Sequence, residues 1–444
     1  MADVSIKNPL PLSVSKYLNK FGSETWKIET NSSELYSNIV VIPAIQEYGN
    51  IKNLLISLSG INSRHITSTL FLVVVNNTVS ASSEIIEDNK QTIEMLRAII
   101  HKNSFDDFTS SIIRSEINLG FVDASSKGFE MPDKEGGVGL ARKIGMDLAL
   151  KYFDYNSPAK RILICLDADC IVQQNYLDAI VDEVNENNIE AGYVEYEHKL
   201  TENEQVNTAI ITYEIFLRYY VLGLKYADSP FAFDTIGSTM LCDAENYVRI
   251  GGMNKRKAAE DFYFMEKLGK ITPIKKINTT RIFPSARRSW RVPFGTGQRM
   301  NRFFAGTHDE FSLIDPVCFE ILKKWLLVFM NESIQSTEYY LQQAKIIDDL
   351  LYEFLLEQGF VESWNKIVSE TKKKEQISKQ KYFWFDAFRT MKLIHFLRDR
   401  AYPQLNMFDA LDKMFGNYQM EIKRDKPIPS VDVQMKYLNV LRKI

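Results

Sequence analysis

Short apolar runs alternate with helical patterns along the amino-terminal half of the chain. The runs NIVVIPA, LFLVVVNN and RILICLDAD have the length and composition of buried strands. Helical spacing of apolar residues follows the first two runs, and a short element, SSIIRSEIN, precedes a helix within GGVGLARKIGMDLALKYF. Strands that alternate with helices predict an α/β domain with a mostly parallel sheet and helices on both faces.

The pattern changes beyond this region. LDAIVDEVNEN predicts a helix, AGYVEYEHK alternates like an exposed strand, and QVNTAIITYEIFLRYYVLGLKY predicts a long aromatic helix. A strand, a turn at Gly251 and Gly252, and a helix that begins near Glu260 follow, and helical spacing then runs from about Phe311 almost to the end. We predict an amino-terminal extension over residues 1–37, an α/β domain over 38–310 and a helical carboxyl-terminal domain over 311–444.

Composition narrows the class of protein. At roughly 150 residues per domain, a chain of 444 residues predicts two or three domains. The formal charge of -3 gives no global attraction to nucleic acid or anionic lipid, so no nucleic-acid partner is expected. Neither a signal-peptide pattern nor an apolar run of about eighteen residues is present in the sequence. We expect a cytoplasmic protein without a transmembrane segment, whose four cysteines are reduced and serve packing.

Two aspartates follow the apolar run RILICL. On an extended segment Asp167 and Asp169 point to the same side, where their charges repel unless a cation or hydrogen-bond donors lie between them. Such a pair suits Mg²⁺ or Mn²⁺, which shares oxygen ligands with substrate phosphates and neutralises a departing diphosphate. Asp-x-Asp alone recurs by chance, and a solvated surface turn is the alternative.

Three polar loops favour a functional site. PAIQE, VVNN and DADC each follow a predicted strand. In parallel sheets, ligands bind beyond the carboxyl ends of the strands, where such loops gather. We therefore expect the three loops to meet at one edge of the sheet.

A second acidic pair, Glu260 and Asp261, opens the helix KAAEDFYFMEKL. Carboxylates at this position are stabilised by the helix dipole, which is one explanation of the pair. The other is that one carboxylate acts as a general base and takes a proton from an incoming hydroxyl.

Together these segments resemble family 2 glycosyltransferases of the GT-A fold. NIVVIPAIQEYGNIKNLLISL resembles the opening strand and loop of that family, DAD its metal-binding Asp-x-Asp, and GGMNKRKAAEDFYFMEKL its Gly-Gly turn and Glu-Asp helix. The resemblance covers roughly Asn38 to Arg302, with the three motifs in the family's order. It implies a Rossmann-like, nucleotide-diphospho-sugar transferase sheet.

The resemblance also implies roles for individual residues. The acceptor hydroxyl would attack the anomeric carbon of the donor sugar, a nucleoside diphosphate would leave, and the configuration would invert. Retention stays an alternative, because both classes share the metal motif. The implied roles are nucleotide binding for Pro43, Ala44 and Glu47, ribose or metal contact for Asp167, direct metal binding for Asp169, catalytic base for Asp261 and orientation of the acceptor for Glu260.

The chain departs from the family's pattern in two places. Where relatives often have Asp after the second strand, this chain has Asn76 and Asn77, which can hydrogen-bond a base but carry no charge. Where relatives commonly read Ala-Arg-Asn, it has Lys in the third position, and Arg142 is expected to contact the nucleotide or a phosphate. For the glycines of GGVGLA, helix packing is the favoured interpretation over a phosphate loop.

Two downstream features complete the expected site. The segment ARRSWRVPFGTGQRMNRFF is a basic loop that could close over the diphosphate, since guanidinium groups pair well with phosphate oxygens. His308, in AGTHDEF, is a candidate third metal ligand, with a structural role as the alternative. The arginines of the loop are Arg287, Arg288, Arg291, Arg299 and Arg302, of which Arg288 and Arg291 are the expected donor contacts.

These features predict a metal-dependent glycosyltransferase that uses Mn²⁺ or Mg²⁺. The expected donor is a nucleotide sugar, a UDP-sugar first, and the expected acceptor is a carbohydrate or glycoconjugate. The helical carboxyl-terminal domain is expected to shape the acceptor site or to form an interface, such as that of a homo-oligomer. Two alternatives stay open: a sugar-phosphate nucleotidyltransferase, whose glycine-rich loop after the first strand is missing from PAIQEYGN, and a non-catalytic binding or scaffold protein of the same fold.

Overall fold

The computed structural model describes residues 9–115, 117–289 and 295–444. Contacts divide these residues into two compact units. The first contains the described residues up to Lys199 and those within Thr235–Gly295, and the second contains Leu200–Asp234 and Thr296–Ile444. The domain boundaries predicted at residues 37 and 310 stay predictions.

A nine-stranded sheet forms the centre of the first unit. Its strands are β1 (Ile28–Thr30), β2 (Asn38–Ala44), β3 (Thr69–Asn76), β4 (Asn118–Ala124), β5 (Ile162–Cys165), β6 (Ile171–Val172), β7 (Ala191–Tyr196), β8 (Met240–Asp243) and β9 (Ile274–Phe283). Their order across the sheet is β1-β4-β3-β2-β5-β8-β7-β9-β6. Strands β2, β3, β4, β5, β7 and β9 run in one direction, whereas β1, β6 and β8 run against them. The predicted α/β class with a mostly parallel sheet is confirmed.

The first unit also contains helices. They are α1 (Leu12–Phe21), α2 (Tyr48–Ser59), α3 (Ser83–Ile100), α4 (Asp107–Arg114), α5 (Val138–Ala149), α6 (Tyr176–Glu186), α8 (Ala244–Arg249) and α9 (Glu260–Gly269). Every residue of β2 and β3 is buried, as their apolar runs predict. Gly145 lets α5 lie close to these strands, because a Cβ there would stand 2.5 Å from Val41 Cγ1.

The predictions for two segments need correction. AGYVEYEHK was expected to form an exposed strand, but all residues of β7 are buried, and the strand lies inside the sheet between β8 and β9. The element predicted at SSIIRSEIN includes the end of helix α4, and the strand next to β3 is instead NLGFVDA, which forms β4.

A buried polar network joins α1 to α5 and α8. The hydroxyls of Tyr17 and Tyr247 donate to Asp147 Oδ1 at 2.8 and 2.6 Å, and Lys143 Nζ donates to Asp147 Oδ2 at 2.8 Å. Tyr17 also lies against the Gly-Gly turn, because a Cβ on Gly252 would stand 1.9 Å from its hydroxyl. Gly252 has a φ of +73°, so the turn needs glycine for both space and conformation.

The second unit is mainly helical, as predicted for the carboxyl-terminal region. Its elements are α7 (Glu204–Tyr226), α10 (Thr296–Ala305), β10 (Ser312–Leu313), α11 (Pro316–Phe329), α12 (Thr337–Ile347), α13 (Asp349–Glu357), α14 (Phe360–Glu370), α15 (Lys374–Trp384), α16 (Ala387–Arg400), β11 (Leu405–Asn406), α17 (Met407–Gly416) and α18 (Val431–Leu441). Its core is aromatic: the rings of Trp325 and Phe329 stack at 5.0 Å, and Tyr340 packs against both. Among the described helices, none combines the length and the apolar character needed to cross a membrane.

Candidate functional site

The carboxyl ends of β3, β2 and β5 lie side by side, so the three polar loops meet at one edge of the sheet as expected. Asn76, the last residue of β3, donates through Nδ2 to the backbone oxygen of Ala44 at 3.0 Å. Pro43 and Ala44 are buried residues at the end of β2, and Glu47 is buried just beyond them. The amide of Asn76 therefore ties the first loop to the second.

The Asp-x-Asp segment lies in a turn and not in an extended strand. Strand β5 ends at Cys165, and the Cys170 backbone N–H donates to the Asp167 backbone oxygen at 3.1 Å. The alternation that was expected to set the two side chains therefore does not apply, and each carboxylate pairs with a different arginine. Burial and the charge of Asp167 raise the pKa of Asp169, while Arg287 opposes this shift.

Arg287 joins the first and third loops. Its Nε donates to Asp169 Oδ2 at 3.1 Å, and its Nη2 pairs with Glu47 Oε1. The Glu47 side chain is 6% exposed and also accepts from Asn50 Nδ2 at 2.5 Å. The Arg287 side chain is 31% exposed.

Arg142, on α5, joins the two acidic pairs. Its Nη2 pairs with Asp167 Oδ1 and its Nη1 with Glu260 Oε1, and its side chain is only 2% exposed. Gly237 lies flat on the guanidinium, since a Cβ there would stand 2.4 Å from Arg142 Nη2. Burial opposes the charge, but the two carboxylates outweigh it and raise the pKa of Arg142. Both terminal nitrogens of Arg142 already pair with acids. The expected contact between Arg142 and a nucleotide or phosphate stays a prediction.

Helix α9 begins with the second acidic pair. The preceding Ala259 has a φ of +57°, a left-handed conformation that is rare for a residue with a Cβ and concentrates at functional sites. Glu260 is buried against Arg142, whereas Asp261 is only partly buried and accepts from the Phe262 backbone N–H at 2.7 Å. Burial and the charge of Glu260 raise the pKa of Asp261 to about 7, with Arg142 opposing. Asp261 can therefore exchange a proton near neutral pH.

The glycines of GGVGLA serve packing, as favoured from the sequence. A Cβ on Gly139 would stand 2.3 Å from the Arg256 backbone oxygen and 3.0 Å from Glu260 Cβ. A Cβ on Gly137 would stand 3.0 Å from Lys257 Cα. These glycines let the start of α5 approach the loop that carries the second acidic pair.

The two aspartates fit a cation that substrate phosphates help to hold. Among the described residues, no group of three or more His, Cys, Asp or Glu side chains is arranged to bind a metal ion. Asp167 Oδ2 and Asp169 Oδ1 lie outside the arginine pairs, and Mg²⁺ is often bound by one or two carboxylates together with substrate phosphates. The donor chemistry thus suits Mg²⁺ or Mn²⁺ at Asp167 and Asp169, with phosphate oxygens completing the shell.

The downstream candidates have different surroundings. Arg288 is exposed, and Arg291 lies outside the described residues. Arg299 and Arg302 belong to the second unit, where both pair with the buried Glu310. His308 also belongs to the second unit, and its Nδ1 lies 2.9 Å from Thr307 Oγ1. Its role as a metal ligand stays a prediction.

Sequence reasoning missed two parts of this arrangement. It singled out Arg288 and Arg291 within the basic loop. Among the residues that the structure describes, Arg287 is instead the arginine that contacts Asp169 and Glu47. It also gave no role to Gly237 in TIGST, because only the folded chain brings that glycine onto Arg142. The Arg-Arg pair itself was the available signal, but neighbouring arginines are alike in sequence.

All four cysteines are buried free thiols. Burial raises the pKa of Cys165 to about 12, so this thiol stays protonated at neutral pH. The cysteines that flank the Asp-x-Asp segment therefore serve packing, as the sequence predicted.

Comparison with protein-family models and with curated protein sequences found no match. Among solved structures, the chain is similar to S. aureus TarS 1–349 in complex with UDP-GlcNAc, with 11% identity, a TM-score of 0.39 and coverage of 78% of this chain and 91% of that chain. It is also similar to the mannosyltransferase PcManGT from Pyrobaculum calidifontis in complex with GDP-Man and Mn²⁺, with 11% identity, a TM-score of 0.37 and coverage of 86% and 90%. At these identities and TM-scores, the similarities establish neither a shared family nor a shared substrate.

Proposed function

We propose that this chain is a metal-dependent glycosyltransferase of the GT-A type that moves a sugar from a nucleotide-sugar donor to an acceptor hydroxyl with inversion. The observation that carries the proposal is the row of acids at the carboxyl edge of the sheet. Arg142 bridges Asp167 of the first pair and Glu260 of the second, which leaves Asp169 and Asp261 at the two ends of the row. On this proposal, residues 38–310 form the catalytic domain.

The two ends of the row suit different tasks. Asp261 takes the proton of the acceptor hydroxyl, for which a carboxylate with a pKa of about 7 is well matched at neutral pH. The oxygen of that hydroxyl forms a bond to the anomeric carbon as the bond to the diphosphate oxygen breaks. A divalent cation bound by Asp169 and Asp167 would supply charge neutralisation for the departing diphosphate. Arg142 holds Asp167 and Glu260 in place through its two ion pairs.

Donor binding tests the proposal first. We expect UDP- and GDP-sugars, screened by thermal shift with Mn²⁺, to include one that raises the unfolding temperature. D169A should abolish that shift, and D349A, which removes an exposed carboxylate at the start of α13, should leave it unchanged. Donor binding that was the same with and without Mn²⁺, and the same in D169A as in the wild type, would contradict the metal assignment.

Turnover tests the base. Slow hydrolysis of the bound donor, followed as release of nucleoside diphosphate, needs no knowledge of the acceptor. D261N should lower that rate by about 10²- to 10⁴-fold while donor binding persists. A variant that bound donor normally and kept full turnover would require another base.

A further inference from the structure

Arg287 contacts the carboxylate that the proposed cation would use. Its guanidinium spans two loops, with Nε on Asp169 Oδ2 at 3.1 Å and Nη2 on Glu47 Oε1. The side chain therefore neutralises charge on both loops. This arrangement is distinct from the expected role of the basic loop, in which arginines pair with the diphosphate.

A guanidinium and a divalent cation draw on the same negative charge at Asp169. Both are positive, and they repel each other strongly when they stand within a few ångströms at a partly buried site. An ion that is bound by Asp169 therefore gains less when Arg287 keeps its position. Its affinity is therefore lowered either by this repulsion or by the cost of separating Arg287 from Asp169.

We propose that Arg287 is an internal competitor of the divalent cation at Asp169, so that the cation binds more weakly while the guanidinium keeps its contact with this carboxylate. The proposal rests on the proposed function, because it uses the cation site at Asp169. It assigns Arg287 a role in setting metal affinity. Arg287 acts through Asp169 and is a positioning residue.

The two ends of the Arg287 contact differ. Glu47 is 6% exposed and is also held by Asn50, whereas the Asp169 side chain is 24% exposed. Arg287 itself follows the end of β9, in a segment without helix or strand, and is 31% exposed. Glu47 is therefore the anchor and Asp169 the exchangeable end. A guanidinium that keeps Glu47 and releases Asp169 can offer its remaining donors to phosphate oxygens.

Binding of Mn²⁺ alone, without nucleotide sugar, tests the competition. The free ion is quantified by electron paramagnetic resonance in titrations of the wild type, R287Q and R281Q. Arg281 is a matched control, because it lies on β9, pairs with Glu197 at 3.0 Å and carries the same charge. We expect R287Q to bind Mn²⁺ at least about fivefold more tightly than the wild type, the lower end of typical coupling between two sites, and R281Q to bind it unchanged.

Further variants separate the possible outcomes. D169N should remove the Mn²⁺ binding of both the wild type and R287Q, which places the ion at Asp169. R287K keeps the charge but cannot bridge two carboxylates in the same way, so its affinity should lie between those of the wild type and R287Q. Thermal unfolding of each variant shows whether it is folded.

Each result has a definite meaning. Folded R287Q that bound Mn²⁺ no more tightly than the wild type, with binding still dependent on Asp169, would overturn the competition and leave the proposed function intact. An equal gain in R281Q would also overturn it, because the effect would then be one of net charge. If D169N bound Mn²⁺ as well as the wild type, the cation site itself would be misplaced and both proposals would fall.

Discussion

Arg142 and Arg287 each bridge two acids of the first unit, but their surroundings differ. The Arg142 side chain is 2% exposed and joins Asp167 to Glu260, whereas Arg287 is 31% exposed and joins Asp169 to Glu47. Separating a buried ion pair leaves charges without water, and separating a hydrated pair lets water replace the lost partner. The comparison teaches that one bridge is a fixed part of the framework and the other can exchange partners.

Removal of each arginine should expose this difference most strongly. R142M leaves Asp167 and the buried Glu260 without their counter-ion and should lower the free energy of unfolding by about 3–5 kcal/mol. R287Q should cost less than R142M, because water reaches Asp169 and Asn50 still donates to the buried Glu47. Urea unfolding, supported by thermal midpoints, measures both. Equal losses in the two variants would abolish the distinction.

A second change acts on the Arg142 bridge alone. G237A places a methyl group against the guanidinium, where a Cβ would stand 2.4 Å from Nη2, and should destabilise the protein by about 1–3 kcal/mol. G49A is the matched control, because a Cβ at this position of α2 meets nothing within 4 Å. The control should be neutral or slightly stabilising. If G237A were as well tolerated as G49A in thermal unfolding, the packing around Arg142 would be looser than described.

The pH dependence of turnover should reflect Asp261, which is next to the Arg142 bridge, and should not depend on the acids that Arg287 joins. Burial and Glu260 raise the pKa of Asp261 to about 7, so the rate should fall about tenfold per pH unit well below this value, where the carboxyl is protonated and cannot accept a proton. R287Q should keep this profile, because Arg287 contacts Asp169 and Glu47 and the raised pKa of Asp261 has other causes. Donor hydrolysis between pH 5 and 9 measures it, and a flat profile would contradict Asp261 as the base.

The same raised pKa affects stability with a definite sign. The folded protein holds the Asp261 proton up to about pH 7, whereas the unfolded chain releases it near the ordinary value of 3.8. This group therefore favours folding below about pH 4, and its contribution is lost as the pH rises through 7. D261N should flatten that part of the stability profile.

The smallest effect concerns the backbone before the second acidic pair. Ala259 has a φ of +57°, which glycine adopts without strain, so A259G should change the free energy of unfolding by only about 1 kcal/mol or less, in the stabilising direction. A98G, within helix α3, should instead cost about 1 kcal/mol. A destabilised A259G would show that the surroundings of Ala259 depend on its methyl group more than on its conformation.

Periodicity predicted the parallel half of the sheet well. The apolar runs of β2, β3 and β5 are long or distinctive enough to identify, and their loops carry the acids and amides of the site. The Gly-Gly turn and the start of α9 at Glu260 were also predicted, because glycine and the acidic first turn are strong local signals. Strand β7 was misjudged as exposed, since alternation in the sequence does not show that a strand lies inside the sheet with all its residues buried.

The arrangement of the site was less predictable. Sequence reasoning selected Asp167, Asp169, Glu260 and Asp261, but it could not show that Arg142 links the two pairs across 118 positions between Arg142 and Glu260. It also treated Asp167 and Asp169 as alternate residues of a strand, whereas the turn after β5 gives each a separate partner. Long-range ion pairs depend on the folded chain, and single-sequence patterns carry little information about them.

The network around Asp147 has a practical consequence for the design of expressed fragments. A fragment that began at Asn38 would lack Tyr17, whose hydroxyl donates to Asp147 and lies against Gly252. It would leave Lys143 and Asp147 open to water and remove one wall of the turn that leads to Glu260. A fragment of the α/β unit that is made for crystallisation or screening should therefore start before Leu12, so that it retains helix α1.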